Sequence, residues 1–171
     1  VSTDFQNLLK EINRQTITSS VSSAHALFAT DDPSGLMAPN LIRQNREALR
    51  QASSAAAIDE MVIDIVAALF DQVLSDPKVA PQMARQLARL QMPVLRVALT
   101  DMNFFKSRKH PVRKLINRFA NLSAAYEDFD SGPGLLCLQS VTNLINDIVE
   151  SDFDDLRIYE SKLSELEQQI E

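Results

Sequence analysis

Cysteine appears once (Cys137), histidine twice, glycine three times and tryptophan not at all in 171 residues. Each scarcity closes a class of function. A single cysteine excludes an intramolecular disulfide and a thiol-rich metal centre, and it suits a reducing, cytoplasmic setting. Two histidines without cysteine partners make no zinc site, so neither metal nor cofactor is expected. Three glycines leave no Gly-rich phosphate loop. No apolar run approaches the roughly 18 residues of a membrane span. No leader segment opens the sequence. Val1 is not a start residue and Glu171 falls inside a helical pattern, so the chain reads as a segment of a longer protein.

What is present points to helices. Ala, Leu, Gln, Arg and Asp are plentiful and 45% of residues are apolar, a composition that favours helix over a turn-rich sheet. Residues 2–28 carry Phe5, Leu8, Leu9, Ile12, Ile17, Val21, Ala24 and Leu27 at helical spacing, with Ser2 or Thr3 as cap and a weak, Ser/Thr-rich stretch from Thr16 to Ser23. Asp31 to Gly35 and Pro39-Asn40 break the pattern. Leu41 to Ala57 reads as a poorly apolar, mostly solvated helix. Residues 58–75 are the clearest core helix: Ile58, Met61, Val62, Ile65, Val66, Leu69, Val73 and Leu74 make the buried face, and Glu60, Asp64, Asp71 and Ser75 the polar stripe. Asp64 and Asp71 fit that stripe as solvated residues better than as a catalytic pair.

Residues 80–100 repeat Met83, Leu87, Leu90, Val94 and Val97 in steps of four and three. Pro93 kinks this helix or divides it in two between Gln91 and Pro93. Phe104 and Phe105 plug a corner, and His110-Pro111 starts the next helix, with Pro at its favoured first position. An acidic loop from Glu127 to Gly134 precedes a helix over 135–150, where Cys137 is a small hydrophobe. The last segment places Leu156, Tyr159, Leu163, Leu166 and Ile170 on a coiled-coil type seam of about two heptads. That seam packs back on the domain or pairs with a second copy. Asp152, Asp154 and Asp155 lack the glycine and spacing of a calcium loop.

Two blocks are distinctive: Leu69-Phe70-Asp71 through Asp76-Pro77 and Leu87 to Leu99, then Phe104-Phe105 with His110 to Asn117. Together they resemble a proteobacterial family catalogued as a domain of unknown function, over roughly residues 58–170. Its long members often carry the label thymidine phosphorylase. The resemblance implies long cytosolic proteins with a distal PilZ-like region. PilZ modules bind cyclic di-GMP, so it implies second-messenger signalling for the whole protein. This chain does not carry the paired RxxxR and (D/N)xSxxG motifs of a PilZ module.

Charge is the strongest functional signal. Between residues 85 and 118 the positive residues are Arg85, Arg89, Arg96, Lys106, Arg108, Lys109, Arg113, Lys114 and Arg118, against one acid, Asp101, although the chain carries a net −6. Arg85, Arg89 and Arg96 are spaced to share a helix face. Arg108, Lys109 and His110 precede a helix start, where backbone donors favour anions. The alternative is that these cations are a solvated face, or pair with the acidic residues after position 126. Nucleic acid is disfavoured by the acidic whole. His110 reads as a helix-start residue and His25 as a surface one.

The expectation is an all-α bundle of five to seven helices. Residues 1–56 form a helical extension that wraps or extends, 57–151 the core, and 152–171 the coiled-coil-like helix. The function read from it is a non-catalytic interaction or regulatory module of a larger bacterial cytosolic protein. Its basic face (Arg85, Arg89, Arg96, Arg108, Lys109, His110, Arg113, Lys114) meets an acidic or phosphate-bearing partner. Its terminal seam (Leu156, Tyr159, Leu163, Leu166, Ile170) supports oligomerisation. The alternative is a receptor for a phosphorylated nucleotide such as a cyclic dinucleotide. A nucleoside-processing enzyme, needing His110 to meet a carboxylate in a pocket, is the third reading.

Overall fold

Every residue from Gln91 to Ala98 is buried. A helix apolar on all sides must be surrounded by others, and the remaining elements are arranged around this one. The computed structural model describes residues 4–14, 40–52, 57–101, 103–151 and 156–170. The side chains of Ala57, Leu156, Gln169 and Ile170 fall outside that description. So do the expectations placed on Ser2, Thr3, the Thr16–Ser23 stretch, His25, the Asp31–Gly35 turn, Pro39 and the Asp152–Asp155 run.

The architecture is all-α. The described residues form ten helices: α1 over 4–14, α2 Leu41–Gln44, α3 Arg46–Ala52, α4 Ala57–Leu74, α5 Pro81–Ala88, α6 Gln91–Thr100, α7 Asn103–Lys106, α8 Pro111–Ala125, α9 Gly132–Glu150 and α10 Leu156–Ile170. This exceeds the expected five to seven, because three segments divide. Asn45 interrupts the stretch after Asn40. Arg89-Leu90 separates α5 from α6, so Pro93 sits in the first turn of α6, where no intrahelical donor is required of it. The Phe104-Phe105 corner forms a turn of helix of its own.

Helix α4 packs on α6 and is flanked by α2, α3 and α5. Helix α5 meets α8 and α9, and α10 lies on α8 and α9. The core runs through all of them: Phe5, Leu9 and Ile12 of α1, Phe70 of α4, Leu87 of α5, Val94 and Leu95 of α6, Phe119 of α8 and Ile145 of α9 are all buried. Residues 4–14 are thus part of the core rather than an extension that leaves it.

The stretch after Asn40 is more firmly tied than its composition suggests. Leu41, Ile42 and Leu49 are buried. Asn40 caps α2 by accepting from the Arg43 amide at 3.1 Å, while its Nδ2 donates to the Ala67 carbonyl at 2.9 Å and to Asp71 Oδ1 at 2.6 Å. The buried Gln91 side chain accepts from the Leu41 amide at 2.7 Å, supplying a partner for an orphan donor at the start of α2. Three ion pairs run antiparallel along the joint: Arg43 with Asp71, Arg46 with Asp64 at 2.7 Å, and Arg50 with Glu60 at 3.4 Å. Asp64 and Asp71 therefore bind arginine rather than forming a catalytic pair.

One expectation about burial fails. Ile58, Met61 and Ile65, assigned to the buried face of α4, are 58%, 54% and 44% exposed. The apolar arc of this helix is wider than its neighbours cover. Conversely, the terminal seam is occupied within the chain: Tyr159 and Leu166 are buried and Leu163 packs partly against the same core. Of its two open readings, packing back on the domain is the one the structure places. Leu156 and Ile170 belong to the side chains outside the description.

Candidate functional site

The cationic middle of the chain divides into an internal and an external set. Arg85 and Arg96 lie on different helices because the chain breaks at Arg89, so the shared helix face does not form. Arg96 is 4% exposed and hydrogen-bonds through its guanidinium to the Gln6 amide oxygen, one of those contacts being 2.8 Å. Arg89 is half-buried at the end of α5 and donates to Asn146 Oδ1 at 2.6 Å and Gln86 Oε1 at 3.1 Å. Burial holds its guanidinium below the usual arginine range, with Glu150 opposing. These two arginines join helices. Arg85 is exposed on α5, where its Nε donates to the Pro81 carbonyl at 3.4 Å.

His110 is also internal. Its Nδ1 accepts from the Val112 amide at 3.3 Å, capping α8, and its Nε2 lies 3.0 Å from Asp101 Oδ2. The first contact requires Nδ1 to be an acceptor, so the proton sits on Nε2 and donates to the carboxylate. The imidazole does meet a carboxylate, yet neither nitrogen is left to take a proton from a substrate. The hydrogen bond from His110, followed by one from the Asn103 amide, holds the Asp101 carboxyl below the usual carboxylate range. Phe104 stands edge-on to both His110 and Phe105, with ring centroids 5.5 and 5.0 Å apart. Asp101, Phe104 and His110 thus pin the corner that carries the chain from α6 through α7 into α8.

From this rigid corner the external set projects. Lys106, Arg108, Lys109 and Lys114 are exposed and Arg113 partly so. None of the five makes an ion pair among the described residues. On α10, Lys162 binds Asp147 at 2.8 Å and Glu165 at 3.1 Å. The local electrostatics are unfavourable. The first turn of α8 contains no acidic residue, and a helix N-terminus carries about half a positive charge of its own. Each cation there costs roughly 0.3–1 kcal/mol at low ionic strength.

A cleft of about 260 Å³ opens beside the corner, between Lys109, Pro111 and Lys114 on the α8 side and Glu160, Leu163, Ser164 and Glu167 on α10. Ligand pockets that enclose a drug-sized molecule run from roughly 300 to 1,000 Å³. This one is a shallow, bipolar trough. The expected basic residues that the structure brings together are therefore Arg108, Lys109, Arg113 and Lys114, with Lys106. Arg89, Arg96 and His110 are structural, and Arg85 stands on another helix. Sequence reasoning missed Glu160 and Glu167 as the facing wall, since nothing local marks a contact across some 50 residues. The acidic residues after position 126 were offered only as a set, and Asp101 was missed as the pin, although Asp101-x-Asn103 before a helical turn is a signal for an Asx turn.

Among the described residues no group of three or more His, Cys, Asp or Glu is placed to hold a metal, and no helix is long and apolar enough to cross a membrane. A family model described as "Protein of unknown function (DUF1631) 2nd domain" matches residues 2–155. The match takes in the N-terminal residues that the expected 58–170 range left out, and it stops before α10. No curated protein and no solved structure matches.

Proposed function

We propose, from the premise that the chain belongs to the DUF1631 family as its second domain, that it is a non-catalytic interaction module whose α7–α8 corner receives an acidic polypeptide segment. The observation that carries this reading is the clustering of Lys106, Arg108, Lys109, Arg113 and Lys114, without carboxylate partners among the described residues, at the positive end of α8. A fold gains nothing from such a cluster in isolation. An external carboxylate row relieves it, with Leu163 and Pro111 offering the trough an apolar floor. Engagement of both His110 nitrogens supports a binding role over acid–base chemistry.

A cyclic dinucleotide is the competing occupant, and it would tie the domain to second-messenger signalling. The trough, at about 260 Å³, is smaller than pockets that enclose a drug-sized molecule, which speaks against enclosing a cyclic dinucleotide. Calorimetry decides between them with an oligoglutamate peptide and cyclic di-GMP as probes, on the wild type and on the Lys109→Glu/Lys114→Glu variant. The expected result is salt-sensitive peptide binding that the variant loses. No heat with the peptide, or equal heat with the variant, overturns the proposal. Saturable cyclic di-GMP binding without peptide binding replaces it with the nucleotide reading.

A further inference from the structure

On α4 the outward positions Ile58, Met61, Ile65, Ala68 and Gln72 are all exposed and follow one another at three, four, three and four residues. That is the spacing of a coiled-coil seam. It is uncharged from end to end. Single exposed apolar side chains are ordinary, whereas a contiguous apolar patch marks an interaction surface. Among the described residues Ile58, Met61, Ile65 and Leu136 are the large exposed hydrophobics, so three of four fall in this one stripe.

We infer that a second copy of this chain covers the stripe, with the two α4 helices antiparallel about a two-fold axis at Ile65. The stripe is complementary to itself in that orientation. Ile65 meets its own counterpart, the long Met61 faces the small Ala68, and Ile58 faces Gln72. The flanks agree. One side of the stripe carries Glu60, Asp64 and Asp71, each already bound to an arginine of α2, α3 or the residues between them. The other side carries the half-buried Leu69 and Val73. Antiparallel pairing sets ion-pair ladder against ladder and apolar flank against apolar flank. Each carboxylate of the ladder is paired with an arginine, which lessens the repulsion between two copies. A parallel pair would press the ladder of one copy onto the apolar flank of the other, which is costly for charges leaving water.

A seam of two heptads lies at the small end of specific interfaces, about 1,000 Å² or less. The association is therefore expected to be weak, and is sought at chain concentrations on the order of 10 to 100 µM. It uses a different helix from the α7–α8 corner, so the two proposals stand or fall separately.

Sedimentation velocity across that concentration range tests it. The wild type is expected to move from the mass of one chain toward two. Ile65→Glu is expected to remain a single chain, with an unchanged helical circular dichroism spectrum because residue 65 is already exposed. Its oligoglutamate binding is expected to stay that of the wild type. In a Cys137→Ser background, Ile65→Cys is expected to oxidise to a disulfide-linked pair of chains. A wild type that stays monomeric at the top of the range overturns the inference, as does an Ile65→Glu variant that still dimerises.

Discussion

Tyr159 is buried among apolar neighbours with a hydroxyl that has no hydrogen-bond partner among the described residues, and burial raises its pKa above the usual tyrosine value. An unsatisfied buried hydroxyl costs free energy that removing the oxygen recovers. Tyr159→Phe is therefore expected to leave stability unchanged or raise it by up to about 1 kcal/mol in urea denaturation; a loss of similar size would reveal a hidden partner. Gly134 presents the opposite case. A Cβ there would stand 1.8 Å from the Asp128 carbonyl oxygen, and backbone cannot swing aside as a side-chain tip can. Gly134→Ala is expected to destabilise by about 2 kcal/mol or more, read from the same denaturation midpoint. Asp101 links stability to pH. Its folded pKa is depressed by the His110 hydrogen bond, so its contribution is complete above the unfolded value of about 3.9 and disappears as pH falls through the lower folded value. Asp101→Asn should cost about 1 kcal/mol at pH 7 and show a shallower loss of stability below pH ~4. Parallel pH profiles for the two proteins would rule out this role.

At the scale of the element, α8 is the informative helix. His110 and Pro111 give it a defined start, and Phe119 and Leu115 bury its inner face. Its first turn nevertheless carries Arg113 where an acidic residue would oppose the dipole favourably. Arg113→Glu is expected to raise stability by roughly 0.5 kcal/mol while weakening oligoglutamate binding. A gain in stability with loss of binding separates a functional cost from a structural one. Loss of both would mean that Arg113 is bound within the fold. Most elements were legible in the sequence because each combined periodicity with a punctuating residue. Asp76-Pro77 closes α4, and His110-Pro111 opens α8. Where two signals conflicted, resolution came from packing: Pro93 pointed first to a kink and second to a break between Gln91 and Pro93, and the structure breaks instead at Arg89-Leu90. Ile58, Met61 and Ile65 were misplaced for a related reason. Apolar spacing marks a face, but not whether neighbours within the fold cover it.

The whole molecule carries a net charge of −6, yet among the described residues the cations of the α7–α8 corner make no ion pair with its acidic half. Lys162 satisfies Asp147 and Glu165, and Arg43, Arg46 and Arg50 satisfy α4. The α7–α8 corner is left as a cationic point on an acidic body. Such an arrangement would orient the acidic partner proposed above, since the rest of the surface would repel it. Sequence counting found the cationic region, but it overcounted the face. Arg89 and Arg96 carry the same charge as Lys109, and only burial distinguishes a guanidinium that ties helices together from one that meets solvent. The facing glutamates on α10 were invisible for the same reason, being set by packing between distant segments. The most direct test is a residue-resolved titration by heteronuclear NMR with an oligoglutamate peptide. The account predicts amide shifts confined to residues 106–114 and 160–167, shrinking as salt is raised from about 20 mM to about 300 mM. Shifts that are absent, indifferent to salt, or centred on α4 or α5 would contradict it.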